Sequence, residues 1–511
     1  MIAREPQRRG ENPFDSSRVT RGADDVARYA DLPQSLVAML RSWVERTPDA
    51  EAVAEIGGER VSYRQYWDRC ARVAGGLRAR GVAAGDRVAI RLPAGLAWTE
   101  AFFGTLMAGA TVVPVNTRFT EAEAEYVVTD SGSTYVFMPG ETPPDARAYV
   151  RDDLGPDDRA AIFYTSGTTG FPKGAIMTHA AFLSNSESMV RGRNQPVVAD
   201  EDFRTVITVP LFHVTGCNCQ FLTALYLGGA GIILPVLDLA VLLRALDEER
   251  INFLLTVPAV YALLLNHPVL ATTDVSRVTH VVYGGAPIAP ALVHRLMAAF
   301  PHARLTNGFG MTEAAGLLSL LPHEYAADHA DSVGFACPIV DLALEDFDPA
   351  SGVGQLLVRG PNIMRAYWNK PEATAQTIVD GWLRTGDLAR IDSNGLTYIV
   401  DRAKDMINRG GENVYCVEVE NALAGAPGVA EAAVVGVPDD VMGEKVGLIV
   451  VPAPGATLDV AAVIAPLRGR IADFKVPQYV AVRDTPLPRN AAGKILKPQL
   501  RRETAWGKAL R

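Results

Sequence analysis

The stretch Tyr164–Gly174, "YTSGTTGFPKG", places four hydroxyls (Thr165, Ser166, Thr168 and Thr169) and a lysine, Lys173, among glycines. Glycines such as Gly167 and Gly170 let backbone N–H groups approach an anion without side-chain obstruction, and hydroxyls donate to phosphate oxygens. Pro172 stands where a Walker loop needs glycine, so this is a phosphate loop of another kind. A turn with only a structural task has no need of four hydroxyls.

Two further glycine-bearing segments follow strand-like runs. "GGAP", with Gly284, Gly285, Ala286 and Pro287, follows "VTHVVY"; "NGFGMTE", with Asn307, Gly308, Phe309, Gly310, Thr312 and Glu313, follows "ARL". In a wound α/β sheet ligands bind beyond the carboxyl ends of strands, so all three segments are expected at one edge, forming a mouth. Glu313 is read as a Mg2+ ligand beside nucleotide phosphates, against the alternative of an acid complementing a helix N-terminus. Asp387, in "WLRTGDL", can accept both hydroxyls of a ribose, or can be a turn residue.

These residues need a scaffold. The 511-residue chain is too long for one core, so several domains are expected. Apolar strand-like runs alternate with helical ones through most of it, which predicts wound parallel sheets covered by helices, an α/β fold. Thr120 and Glu123 form a capping-box pattern at one helix start. From Val353 onward short β segments follow, with Asn394-Gly395 as a hairpin turn. After Asp401 about a hundred residues mix strands and helices, a small α+β domain. The expected division is a flexible extension over 1–30, a large domain with a β subdomain over 31–400, a hinge at 401–404 and a mobile domain over 405–511.

The net charge of −9 disfavours a grip on nucleic acid. The five cysteines (Cys70, Cys217, Cys219, Cys337 and Cys416) complete no zinc pattern and suit buried thiols. The charged first thirty residues lack the apolar core of a signal peptide, and a cytoplasmic protein is expected. Glycines and Pro235 interrupt the apolar run Phe221–Leu237, which predicts a helix–turn–strand passage instead of a membrane span.

The segments "YTSGTTGFPKG", "NGFGMTE", "GWLRTGDLAR", "DRAKDMINRGGENVYCVEVE" and "LPRNAAGK" occur in the order found in the adenylate-forming superfamily. Over about residues 35–505 the chain resembles its acyl-CoA synthetase branch. The resemblance implies that ATP and a carboxylate give an acyl-adenylate and pyrophosphate, after which the coenzyme A thiol displaces AMP. It implies that the Thr165–Lys173 loop holds the departing phosphates, that Thr168 joins Glu313 at Mg2+, and that Lys494 contacts carboxylate and α-phosphate. Ile399 and Arg402 are then nucleotide contacts, Lys404 is the hinge, and Gly410, Gly411, Glu412 and Asn413 pass the pantetheine arm. His213 falls where amino-acid-activating relatives carry aspartate. With Val214, Cys217, Tyr283 and Gly284 it implies a pocket for an apolar acid, aliphatic or aryl. Only 25 residues, 139–163, separate "STYVFM" from the phosphate loop, fewer than the family leads one to expect. A carrier-protein phosphopantetheine as acceptor, a luciferase-like oxygenase and a non-catalytic nucleotide binder are the rival readings, and a homodimer is left open.

Overall fold

Runs of Val, Ile and Leu too apolar for a sheet with a wet face build the centre of the protein. The computed structural model describes residues 4–6, 12–165, 172–193, 202–410, 412–423, 426–489 and 495–510. Its largest sheet has nine strands, and the six from Glu51–Glu55 to Arg304–Met311 are mutually parallel. Alternation assigns each residue of these strands to a face. In His280–Gly284, Val282 joins the main core, while Val281 and Tyr283 join a second core under the helices Leu239–Glu248 and Pro258–Leu264.

A second sheet of five strands holds Arg87–Ile90, Thr111–Pro114 and Tyr135–Phe137 in parallel and ends in the antiparallel hairpin Arg159–Thr165/Lys173–Thr178. The phosphate-loop segment therefore belongs to a different sheet from the other two glycine segments, and the expectation of one shared edge is corrected. "NGFGM" is also not a loop. It forms the end of the strand Arg304–Met311, paired antiparallel with Gly316–Leu321. Glycine there serves close strand approach, because a β-carbon on Gly310 would lie 1.6 Å from the Gly316 carbonyl oxygen.

The Thr120 box forms as expected, with Glu123 Oε2 accepting the Thr120 N–H at 2.8 Å. The apolar run after Phe221 is a helix, a left-handed turn at Gly228 and the strand Ala230–Ile233. Strands Trp382–Ile391 and Thr397–Arg402 pair around Asn394-Gly395. The short connection after Tyr135–Phe137 lies directly on the helix Tyr63–Ala79, where a β-carbon on Gly75 would sit 1.9 Å from the Arg147 carbonyl oxygen.

Residues 12–30 differ from the flexible extension expected of them. Phe14, Ala27 and Tyr29 are buried in the main core, and Arg21 pairs with Asp341 at 2.6 Å. Their apolar residues are few and scattered, so charge dominates the sequence while three side chains anchor the segment. Beyond residue 406 the hairpin strands Val429–Asp439 and Gly443–Pro452 carry a core on each face, with Val434, Val446 and Leu448 on one and Ala433, Val435 and Ile449 on the other. All five cysteines are free and buried. Among the described residues no helix is long and apolar enough to cross a membrane, and no group of metal-ligating side chains forms a ready site.

Candidate active site

The hairpin Arg159–Thr165/Lys173–Thr178 brackets the phosphate-loop segment, pairing Thr165 with Lys173 at its base. The Thr165 hydroxyl lies 3.5 Å from the Lys173 carbonyl oxygen. Ser166, Gly167, Thr168, Thr169 and Gly170 lie outside the described residues. Below the loop, Tyr164 donates to Asp130 Oδ2 at 2.7 Å, and burial pushes its phenol well above the ordinary range. Asp130 also receives Lys370 Nζ at 3.1 Å, and its carbonyl accepts from Trp368 Nε1 at 3.0 Å. One residue of the helix Glu121–Ser131 thus ties the loop base to the segment 367–370.

That segment supplies a residue the sequence did not reveal. The Tyr367 hydroxyl donates to Glu313 Oε1 at 2.8 Å, and Lys173 Nζ stands 5.1 Å from the centre of the Tyr367 ring. The ring therefore stands between the cation of the hairpin and the carboxylate that follows the strand Arg304–Met311. Glu313 is 9% exposed, and its own carbonyl accepts from Met364 N–H at 2.7 Å. An open recess of about 410 Å³, lined by Tyr367, Asn369, Lys370 and Thr374, begins at this point. Another cavity, of about 300 Å³, lies between Glu55, Leu92, Phe137 and Met138, apart from all these residues. Opposite charges converge at Tyr367, and no such pair lines the second cavity.

Gly285, Ala286 and Pro287 form the turn at the carboxyl end of His280–Gly284, with Gly285 at φ 76°. Gly284 pairs in register with Gly308, and a β-carbon on Gly284 would lie 2.2 Å from the Gly308 carbonyl oxygen. Gly308, Phe309, Gly310 and Thr312 are partly exposed along the strand and the short turn leading to Glu313. The Asn307 side chain is occupied differently, because its amide donates to the Ser332 carbonyl at 3.0 Å.

Asp387 and Arg402 face each other on neighbouring strands, Arg402 Nε 3.3 Å from Asp387 Oδ1, and Ile399 lies on the same strand as Arg402. Asp387 is buried while Arg402 is exposed, which suits a carboxylate fixed for a diol and a cation reaching outward. Lys404 is held from the last helix, Lys497–Glu503, through Arg501, which donates to the Lys404 carbonyl at 3.4 Å and the Asp405 carbonyl at 3.2 Å. Burial lowers the Lys404 amine below its ordinary value. Burial likewise raises the Asp401 carboxyl to about 6, although its oxygens accept the Arg402 and Cys416 N–H groups.

Gly410, at φ 61°, makes the turn between strands Ile407–Arg409 and Glu412–Val414; Glu412 and Asn413 stand exposed on it. Gly411 and Lys494 lie outside the described residues; Arg489 and Ile495 bridge on either side of the latter's segment.

For the residues expected at the acyl pocket, the His213 ring lies tilted beside that of Phe212, centroids 4.7 Å apart, and Val214 and Cys217 are buried around the π-helix Thr215–Leu222. Burial pushes the Cys217 thiol well above its ordinary value. Val214 and Cys217 belong to the main core. Tyr283 belongs to the other core, across the sheet, and does not join them. Strand alternation is the reason: Gly284, one residue on, faces the side that Tyr283 leaves.

The model of the AMP-binding enzyme family matches residues 40–152 and 140–368, and that of the AMP-binding enzyme C-terminal domain matches 418–494. The chain is 37% identical over 491 residues to a feruloyl-CoA synthase of Amycolatopsis sp., covering 91% of this chain and 98% of that protein. It is 33% identical over 504 residues to the long-chain-fatty-acid–CoA ligase FadD13 of Mycobacterium tuberculosis, covering 91% and 97%. In structure it is similar to ATP-bound MatB from Rhodopseudomonas palustris, with a TM-score of 0.83 at 31% identity over 92% and 98% of the two chains.

Proposed function

The chain belongs to the AMP-binding enzyme family, as an AMP-forming acyl-CoA synthetase, and on that premise we propose that its acid is an apolar carboxylate, an arylpropenoic acid foremost. The observation that carries the nucleotide half of this reading is the meeting of Lys173 and Glu313 on Tyr367. A cation and a carboxylate there can address the phosphate end of ATP together.

In the first step a carboxylate oxygen bonds to the α-phosphorus of ATP while the bond to the bridging oxygen breaks, and pyrophosphate leaves. Both reactants are anions, so the protein's task is charge neutralisation and alignment. Lys173 faces the departing phosphates, the hydroxyls of residues 165–169 cradle them, and Asp387 holds the ribose. Lys494 is assigned to the carboxylate and α-phosphate. In the second step the CoA sulfur bonds to the acyl carbonyl carbon and AMP departs. Residues 401–404 then serve as the hinge on which the segment 405–511 turns to replace Lys494 by the Gly410 hairpin.

Glu313 fits a Mg2+ ion. Its carboxylate is a hard oxygen donor at the phosphate end, and Mg2+ takes one or two carboxylates alongside phosphates and water. Thr168 would be the second oxygen. When bound, the ion neutralises charge on the phosphates.

The acyl end has His213 in place of an anion, backed by Val214 and Cys217, which favours an acid without an ammonium group. The aryl choice is supported by the higher identity to the feruloyl-CoA synthase than to the fatty-acid ligase. Pyrophosphate release with ATP and a panel of cinnamic, benzoic, fatty and amino acids tests it. Cinnamic acids should give the largest kcat/KM, and a preference for amino acids would overturn the pocket reading. Repeating the best acid with CoA as the only thiol checks the acceptor against a carrier protein.

A further inference from the structure

Three asparagines from three elements converge on the turn that follows Glu313. Asn185 comes from the helix His179–Gly192, Asn218 from the π-helix Thr215–Leu222, and Asn362 from the connection after the strand Val353–Arg359. Their exposures are 0%, 0% and 1%. The Asn218 amide donates to the Ala315 carbonyl. Asn362 Nδ2 donates to the carbonyls of Leu317 at 2.8 Å and Ala314 at 3.3 Å. Asn185 Oδ1 accepts the Leu317 N–H at 2.7 Å, and its Nδ2 lies 3.8 Å from Cys219 Sγ.

The turn they hold is unfavourable on its own. Ala315 is at φ 52°, a left-handed conformation that a β-carbon disfavours, and Gly316 follows at φ 128°. At Gly316 a β-carbon would come within 2.6 Å of Asn185 Oδ1 and 2.9 Å of Cys219 Sγ. The amides are also an expensive way to gain stability. Asn218 Oδ1 and Asn362 Oδ1 have no hydrogen-bond partner among the described residues, and a buried polar atom left so is unfavourable. Residues selected only for packing would be apolar at these positions. Strain in the turn and incompletely satisfied amides around it together indicate that its exact path matters.

We propose that the three asparagines form a clamp that positions Glu313, and that Asn218 links the helix of the acyl pocket to the residue assigned to the metal. The clamp touches no reacting atom. It acts by fixing the backbone at 314–317, which sets where the Glu313 carboxylate stands between Tyr367 and the phosphates. The inference rests on the assignment of Glu313 to Mg2+, so its test must separate the two.

The test uses the full chain, titrated calorimetrically with α,β-methylene ATP, which cannot give up its adenylyl group, in the presence of Mg2+ and again in EDTA. Asn218→Ala should weaken binding by about fivefold or more with Mg2+ and leave binding in EDTA unchanged. In a Glu313→Gln background the same substitution should add nothing, since its effect passes through Glu313. Fully retained metal-dependent binding in Asn218→Ala, with Glu313→Gln impaired, would overturn the clamp alone; so would equal loss with and without metal. An unaffected Glu313→Gln would overturn the metal assignment and the clamp's purpose with it. If Asn218→Ala does not fold, Asn362→Ala, which releases Ala314 and Leu317 from the other side, is read in the same way.

Discussion

In the large body Glu313 is buried and bonded through its carboxylate to Tyr367, whereas in the C-terminal lobe Glu412 and Asn413 stand exposed on a hairpin held by main-chain pairing. The contrast extends to their neighbours. Around the proposed phosphate end, Tyr164 and Lys173 of the five-stranded sheet, Asp130 of the helix Glu121–Ser131, and Trp368 and Lys370 of the segment 367–370 are tied by contacts that use their side chains. Among the described residues the lobe instead meets the body at the bond from Cys416 N–H to Asp401, with Arg501 bracing the joint at Lys404 and Asp405. A cleft assembled in advance suits a site used in both steps, and an exposed hairpin suits the part proposed to arrive and leave.

The largest expected effect tests whether the lobe divides its labour. Lys494→Ala should lower adenylation by roughly a hundredfold or more, the loss of about 3 kcal/mol of electrostatic stabilisation, while thioester formation from supplied acyl-adenylate continues. Equal loss in both half-reactions, measured separately, would erase the distinction. Gly410→Ala should give the opposite pattern, because φ 61° disfavours alanine and its methyl would meet Met442 Cε at 2.5 Å. We expect a thioester step slowed by about tenfold, from roughly 1 to 2 kcal/mol of backbone strain, with pyrophosphate release nearly unchanged.

In the body, Tyr367→Phe keeps the ring beside Lys173 and removes the hydroxyl bond to Glu313. Adenylation should fall by about three- to tenfold, in line with the roughly 1 kcal/mol of one hydrogen bond, and the KM for Mg·ATP should rise. A change confined to the KM of the acid would refute this placement.

The smallest effect is at the joint. Because burial raises the Asp401 carboxyl to about 6 in the folded chain, above its value of about 3.9 when unfolded, folding favours the protonated form. The resulting stability is complete below about pH 4 and is lost as pH rises through 6. Between pH 5 and pH 7 the lobe should lose about 1 kcal/mol relative to Asp401→Asn, read from paired denaturation curves. Parallel curves for the two proteins would show that Asp401 does not carry this titration.

Local patterns conveyed much of this architecture. The Thr120 box, the Asn394-Gly395 turn and the alternation of parallel strands with helices are each encoded within a few residues. Tyr367 was not legible, because its partner Glu313 is 54 positions away and nothing in "RAYWNK" marks the pairing. Tyr283 and Gly284 were both expected beside Val214 and Cys217, but strand alternation turns them to opposite faces, and Tyr283 falls in the other core. Nor did glycine-rich composition distinguish a loop from a strand end. At Gly310 the absent side chain serves the neighbouring strand.

The burial of every thiol has a practical consequence. Four of the five, Cys70, Cys217, Cys219 and Cys337, lie within the large body, and Cys416 alone lies beyond the joint, in the core of the lobe. A thiol-reactive reagent will therefore label only molecules that have opened, and mass mapping of the labelled peptide will report which part opened first. The chain carries its own pair of internal breathing gauges, with no residue needing to be added.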